Sequence, residues 1–502
     1  MKTVLGIDCG TQSTKVLVYD PASRRVIARA QSPHELISGE DGTREQEAGW
    51  WIDALKRCLG SIDPGILASV AAVGVSGQQH GFVPLDRDGE VLAPVKLWCD
   101  TSSVAECAEI TGRFGGVDRL LAEAGNPILP GYTASKILWL KKNRPEAYRR
   151  MATILLPHDY LNHRLTGRLT MEFGDASGTG FLDIRKRTWS KAVLRAIDPE
   201  RDLLPCLPPL ISAIDPAGFT SGGASREFSL PVGVLVSSGG GDNMMGAIGT
   251  GTTVHGALTM SLGTSGTLYG FSDQPMVDPE GLLAAFCSSS GGWLPLLCTM
   301  NCTVATELVR SVLGSNLEQM ESLAEGARPG SDGVLLLPFF NGERTPNLPR
   351  GRGCILGLTP DNFNRENLLR AAMESALFGL RLGLESFTRL GFAPKQIHLI
   401  GGGARSALWR QMASDVFDLP VVCPVEEEAA AFGAALQAYW ALRNHDGKKA
   451  EISEVLDEHV KFSPDRSHVP DRKAASIYRE VYRAYKSYVQ TVTPLFEAER
   501  KS

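Results

Sequence analysis

Ser237-Ser238-Gly239-Gly240-Gly241-Asp242-Asn243 is the stretch around which the chain is organised. The apolar run Val232 to Val236 enters it and Met244 to Ile248 leaves it, which predicts a buried strand, a glycine turn and a helix. Glycine suits a turn where side chains would be a hindrance. One carboxylate, Asp242, then stands at the mouth of the junction beside the amide of Asn243. Two readings of it are open on this stretch alone. It is a general base held against a substrate hydroxyl, or it is the N-cap of the helix that follows.

The whole chain narrows the classes. Its 502 residues exceed a single core and imply two or three domains. Hydrophobic residues are 43%, charged residues 21% and the net charge is −5, an ordinary globular balance that favours no nucleic-acid or membrane partner. No apolar run reaches the ~18 residues of a membrane span. Met1 to Gly10 carries Asp8 inside its apolar run, unlike a signal peptide, so the chain is expected to begin directly as a strand. The ten cysteines are scattered without a CxxC pair, so reduced thiols in the cytoplasm are expected and a zinc site is not.

Val4 to Ile7 and Val16 to Tyr19 read as a hairpin whose tip holds Gly10, Thr11, Thr14 and Lys15. Amides freed by glycine, with threonine hydroxyls, suit phosphate oxygens. Asp8, at the end of the first strand, suits a hydrated magnesium ion, which takes few carboxylates. A plain polar hairpin would look the same, but the pattern recurs. Gly10-Thr11-x-x-Thr14 matches Gly263-Thr264-x-x-Thr267, again between apolar runs. Two such tips, one opening each half, suggest two similar domains with a phosphate chain between them. No Walker A loop and no GxGxxG fingerprint is present.

Val70 to Val75 is a predicted strand ending in Ser76-Gly77-Gln78-Gln79-His80-Gly81, a polar lip suited to a hydroxyl-rich ligand. Trp98 and Asp100 add an indole face and an acid shortly after. His158 and His163 lack the spacing of a metal pair and are expected to be hydrogen-bonded structural residues. Helices are predicted over 366–390 and 427–442, with an outer one over 474–496. Gln396 to Ile400 is a strand opening onto Gly401-Gly402-Gly403, where a flat base could lie against backbone near a helix N-terminus. Glu343 and Arg344 follow the apolar run 333–340 and read as structural more readily than as ligand contacts.

Strands ending in glycine turns at Gly10, Gly263 and Gly401, in two similar halves, resemble the actin-like ATPase architecture. Further matches are Ser76-Gly77-Gln78-x-His80-Gly81, Leu97-Trp98-x-Asp100, Pro130-Gly131-Tyr132-Thr133, Leu156-Pro157-x-Asp159-Tyr160-Leu161, Asp175-Ala176-Ser177-Gly178-Thr179, Gly241-Asp242-Asn243, Ser261-Leu262-Gly263-Thr264-Ser265-Gly266 and Gly342-Glu343-Arg344-Thr345-Pro346. In this order they cover nearly the whole chain, which resembles the FGGY carbohydrate kinases and, within them, the xylulokinase branch. The resemblance implies an α/β fold of two actin-like (ribonuclease H-like) domains with a nucleotide cleft between them. The boundaries expected are 1–245 for a sugar-binding domain, 246–442 for a nucleotide-binding domain and 443–502 for a helical extension.

The resemblance implies ATP and Mg2+ as cofactors and D-xylulose as the acceptor, with no nucleic-acid or membrane partner; a homodimer is compatible with it. Asp242 would be the catalytic base, and Gln79, His80, Trp98, Asp100, Asp242 and Asn243 would contact the sugar. Thr11, Thr14, Lys15, Gly263 and Thr264 would face the phosphates, Gly402 and Gly403 the adenosine, and Asp8 and Asp242 the metal. Two departures fall at the sugar end. The family commonly has methionine where Gln79 stands, and often an arginine where this chain has Thr101-Ser102-Ser103. Kinases for another ketose or polyol (ribulose, ribitol, glycerol-like) are therefore the nearest alternative. A non-catalytic actin-like ATPase would need a β-rich peptide-binding domain, and the residues after Leu442 are mostly helical in pattern. Transfer to water must be suppressed until sugar binds, so closure of the two halves is expected.

Overall fold

The computed structural model describes residues 2–498. The chain forms two compact units, one of residues 1–254, 271–295 and 428–460, the other of 255–270, 296–427 and 461–502.

The first unit is built on a mixed sheet. Thr3–Cys9, Ser13–Asp20 and Arg25–Pro33 form an antiparallel meander, and Val70–Gly77 lies parallel to Thr3–Cys9. Leu235–Val236 then runs parallel to Val70–Gly77, and Gly218–Phe219 closes the edge antiparallel. Thr3–Cys9 and Val70–Gly77 are buried almost throughout, which is why they read as continuous apolar runs rather than alternating ones. The Ala48–Gly60 helix buries Trp51, Leu55 and Cys58 on one side, as its spacing predicts.

One helix fixes this unit. Ala429–His445 is alanine-rich and meets its neighbours backbone to backbone. A Cβ added at Gly6 or Gly74 would stand 1.9 Å from the carbonyl oxygen of Ala431 or Ala434. One at Gly249 would stand 1.9 Å from Ala429 O, and one at Gly433 1.8 Å from Met245 O. The helix therefore sets the register of three elements at once: the strands ending near Asp8 and Gly77, and the Asp242–Gly249 helix.

The second unit repeats the topology. Ala257–Leu262, Gly266–Gly270 and Leu296–Thr299 form the meander; Gln396–Ile400 and Val421–Pro424 add in parallel, and Phe462–His468 closes the edge antiparallel. The two-domain α/β class expected from the recurring hairpins is the one observed. The second tip is one residue shorter, since Cys9 pairs with Thr14 but Leu262 pairs with Gly266.

The division of the chain departs from the expected 1–245, 246–442 and 443–502 blocks. The Ala429–His445 helix belongs to the first unit, because its close glycine contacts are with Gly6, Gly74 and Gly249. Residues 443–502 are not one helical extension. The Ile452–His459 helix stays with the first unit, and Phe462–His468 is an edge strand of the second. The Arg472–Ala498 helix is fastened within the second unit: Tyr478 Oη donates to the buried Glu374 at 3.0 Å, beside donors from Gly330, Ser331 and Arg370. Among the described residues no helix is long and apolar enough to cross a membrane.

Candidate active site

Asp242 is the first residue of its helix, and the cap position is Gly241, which has no side chain to offer. The N-cap reading of Asp242 is therefore set aside. Its Oδ1 accepts from the backbone N–H of Asn243 at 2.8 Å and from Asn243 Nδ2 at 3.0 Å. The same Nδ2 reaches Gln79 Oε1 at 2.9 Å, which joins the acid to the polar lip. Burial first, then the negative charges of Asp8 and Asp175, push the Asp242 carboxyl up to about 7.

Each glycine of the turn makes room for a particular neighbour. A Cβ at Gly241 would lie 2.6 Å from Gln79 Cγ, one at Gly240 2.3 Å from Ser289 Oγ, and one at Gly239 2.6 Å from Val75 O and 3.1 Å from His158 Cδ2. His158 is wholly buried, with Nδ1 at 2.7 Å from Asp175 and Nε2 at 2.9 Å from Asp159. Burial alone would lower its pKa; the two carboxylates outweigh that and hold the imidazole protonated. His158 is thus structural, as its spacing suggested.

Asp8, one residue before the end of the first strand, is half-buried, accepts the Ser76 hydroxyl at 2.7 Å, and is pushed up to about 6 by burial. Lys15 lies close enough to oppose that shift, and its ammonium pairs with Glu428 at 2.5 Å. Thr11 is wired into the fold: its hydroxyl donates to Gln78 at 3.1 Å and accepts from the Trp98 indole at 2.9 Å. Thr14 is fully buried against His34, 2.8 Å away, whereas Gly10, Thr11, Gln12 and Lys15 keep exposed surface.

His80 sits in the left-handed region at φ 65°, which a non-glycine residue adopts only when its surroundings impose it. Its carbonyl accepts from Lys136 Nζ at 2.7 Å and Thr133 Oγ1 at 3.2 Å, and its ring packs on Tyr132 and Phe286. Lys136 is wholly buried and pushed down to about 7 by that burial. Asp100 is also wholly buried, and its oxygens are engaged by Arg44 N, Ser102 and Lys96. Its geometry favours a structural part over a sugar contact, while Trp98 remains beside the hairpin tip.

In the second unit Gly263 and Thr264 face outward while their carbonyls accept from Thr303 and Cys302, at the N-terminus of the Thr303–Val312 helix. Gly401, at φ 86°, and Gly403 back onto Leu262, where a Cβ would come within 2.6 and 2.8 Å; Gly402 looks into open space. Glu343 accepts from Met300 N, Asn301 Nδ2 and Arg344 N, and so stitches its loop together. Lys136, Ser289 and Gln437 were not singled out in the sequence. Gln437 had a signal, being the one amide or charged side chain in the run Ala429 to Leu442.

Residues 3–249 match the N-terminal domain model of the FGGY family of carbohydrate kinases, and residues 245–442 match its C-terminal domain model. The chain is similar to a "Xylulose kinase" of Haemophilus influenzae, 44% identical over 498 residues, 97% of this chain and 99% of that one. It is 40% identical to a "Xylulose kinase" of Streptomyces coelicolor over 88% of this chain and 89% of that one. A crystal structure described as a "xyloylose kinase from Brucella ovis" superposes with a TM-score of 0.90 at 30% identity, covering 98% of this chain and all of the other. Two hairpin-tipped sheets of one topology, an acid at the head of a glycine turn, and family models that span both halves agree: the chain belongs to the FGGY family of carbohydrate kinases.

Proposed function

We propose that the protein transfers the γ-phosphoryl group of ATP to the terminal hydroxyl of D-xylulose, giving D-xylulose 5-phosphate. The observation that carries the reading is the Asp242 carboxylate, anchored through Oδ1 by Asn243 and raised to about 7, next to Gln79. Similarity over most of the chain to proteins named xylulose kinase supports the acceptor.

Asp242 removes the proton of the accepting hydroxyl. Asn243 holds Oδ1, so Oδ2 is the oxygen that receives it. Base catalysis of this kind contributes typically ~10²–10⁴-fold, most when the pKa lies near the working pH. Gln79 Nε2 is buried without a partner among the described residues, and the amide is the natural donor to a sugar oxygen. His80, held in its strained conformation by Lys136, and Trp98 complete the acceptor side. For the phosphates, the first unit offers Lys15 and the Thr11 amide and the second unit the Thr264 amide, the Gly10 and Gly263 N–H groups being taken by Ser13 O and Ser265 O, while Gly402 is open to the adenosine. Burial raises the proton affinity of both Asp8 and Asp242, and the charge of Asp8 raises that of Asp242 further, so the pair fits a divalent cation. When bound, magnesium neutralises charge on the phosphates. The ten cysteines are all free thiols, eight of them buried, which supports a reducing compartment, the cytoplasm.

Gln79, in place of the family's common methionine, favours one alternative: a different ketose or polyol as acceptor. A panel of D-xylulose, D-ribulose, ribitol and glycerol with coupled ADP detection distinguishes them. D-Xylulose is expected to give the highest kcat/KM, by at least about tenfold, the scale set by one mispaired polar group. A higher value for another acceptor would replace the substrate and leave the kinase chemistry in place.

A further inference from the structure

The strand that delivers Asp242 slips register. Leu235 and Val236 lie opposite Ala72 and Val73, whereas Gly240 and Gly241 lie opposite Ser76 and Gly77. Between these pairs Gly74 and Val75 on one strand face Ser237, Ser238 and Gly239 on the other. This is a β-bulge, immediately ahead of the Asp242 helix. An inserted residue leaves backbone groups without ladder partners and bends the strand, and bulges beside reaction centres re-aim side chains.

The partners missing from the ladder come from side chains. Asn162 Nδ2 donates to Ser238 O at 2.8 Å. Gly239, at φ 70°, is paired on both sides by one residue: its N–H donates to Gln437 Oε1 at 2.9 Å and its carbonyl accepts from Gln437 Nε2 at 3.1 Å. The same Oε1 takes the Ser237 hydroxyl at 2.8 Å, and Nε2 reaches Ser289 O at 3.1 Å. All four hydrogen-bonding positions of the amide are used, at a residue with no exposed surface. Its helix is the one packed backbone to backbone on Gly249, at the far end of the Asp242 helix.

We infer that Gln437 is a positioning residue for phosphoryl transfer: its amide stands in for a strand at the bulge and so fixes where the Asp242 carboxylate points. The inference rests on Asp242 as the base and adds a residue that touches no substrate. Leucine at 437 would leave the Gly239 N–H and the Ser289 carbonyl buried without partners, and the Gly239 carbonyl with only the Ser238 hydroxyl at 3.3 Å. The strand would then be free to relax toward the unbulged register, where a one-residue slip changes the face to which side chains point. Glutamate could still accept from Gly239 N–H and the Ser237 hydroxyl, but could not donate to the two carbonyls.

The test is a double-mutant cycle of kcat on Gln437→Leu, Asp242→Asn and the double variant, with Gln437→Glu alongside and ATP affinity by calorimetry. Gln437→Leu is expected to lower kcat about 100-fold, the cost of roughly 1 Å of misplacement, with the ATP Kd little changed. Gln437→Glu should fall between. In the Asp242→Asn background the same leucine should change the residual rate by less than about threefold, because there is no base left to aim. Gln437→Leu with kcat within about threefold of the parent would overturn the inference. So would a loss that multiplies in full on top of Asp242→Asn, since that is what general support of the fold predicts. If the leucine variant does not fold, Gln437→Glu carries the same cycle, and the same two results would overturn the positioning role. Full activity of Asp242→Asn by itself refutes the base, and the positioning role with it, whatever the Gln437 variants do.

Discussion

Asp242→Asn is expected to lower kcat by about 10²–10⁴-fold while leaving ATP affinity nearly unchanged. Asparagine keeps the oxygen that accepts from Asn243 and the shape of the helix start, so what it removes is the proposed proton acceptor. The same variant should be more heat-stable than the parent at pH 8. The Asp242 carboxyl is raised from its ordinary value of 3.8 to about 7 in the folded state. Between those values the folded protein binds a proton that the unfolded chain has released, so stability falls as pH rises through the interval. Above about 7 the folded state carries an ionised carboxylate close to the charges of Asp8 and Asp175, and the neutral amide relieves that repulsion. The parent's kcat/KM should, by the same group, rise with pH toward about 7 and then level. Kinetics and calorimetric melting at pH 6 and pH 8 read all of this. Undiminished activity would sink the base, and a lower melting temperature at pH 8 would sink the repulsion argued for its surroundings.

Gly433→Val is expected to abolish the folded first unit or leave it insoluble. A Cβ at this position would stand 1.8 Å from Met245 O, and the obstacle is backbone, which cannot swing aside as a side chain can. Overpacking commonly costs ~1–3 kcal/mol where side chains can adjust, and here a helix must move instead. That shift would separate the Ala429–His445 helix from the Asp242–Gly249 helix, on which the position of Asp242 depends. Gly433→Ala should do the same to a smaller degree. Urea denaturation followed by circular dichroism measures the loss. Gly447→Ala is the control, because at its loop position a Cβ would meet nothing within 4 Å, leaving only the strain of φ 79°. A Gly433→Val protein as stable as that control would refute the backbone-to-backbone seam.

Much of this was legible in the residues. The recurring Gly-Thr tips announced two domains of one topology, because a hairpin between buried strands needs glycine and hydroxyls at its turn. Asp242 stood out because three glycines precede it, and each proves to clear space for a neighbour: the Val75 carbonyl, Ser289 or Gln79. The expected 246–442 block agrees with the family's C-terminal domain model over 245–442, yet the Ala429–His445 helix at its end packs into the first compact unit. Sequence order places the helix after the second sheet, whereas its small residues fit the glycines of the first. Thr14 and Asp100 looked like ligand contacts by residue type, but both are buried, Thr14 on His34 and Asp100 among Lys96, Ser102 and Arg44. Gln437 and Lys136 were hidden because their role depends on chain segments far away in sequence: the bulge at Gly239 and the strained carbonyl of His80.

The measurement that bears most directly on the proposed activity is phosphorus NMR of the purified protein incubated with ATP, Mg2+ and D-xylulose. The predicted result is loss of the γ-phosphate signal matched by one new phosphomonoester, coupled to the two protons of the sugar's terminal carbon, and absent when Asp242→Asn replaces the parent. Inorganic phosphate in place of a sugar ester, or an ester on another carbon, would contradict it.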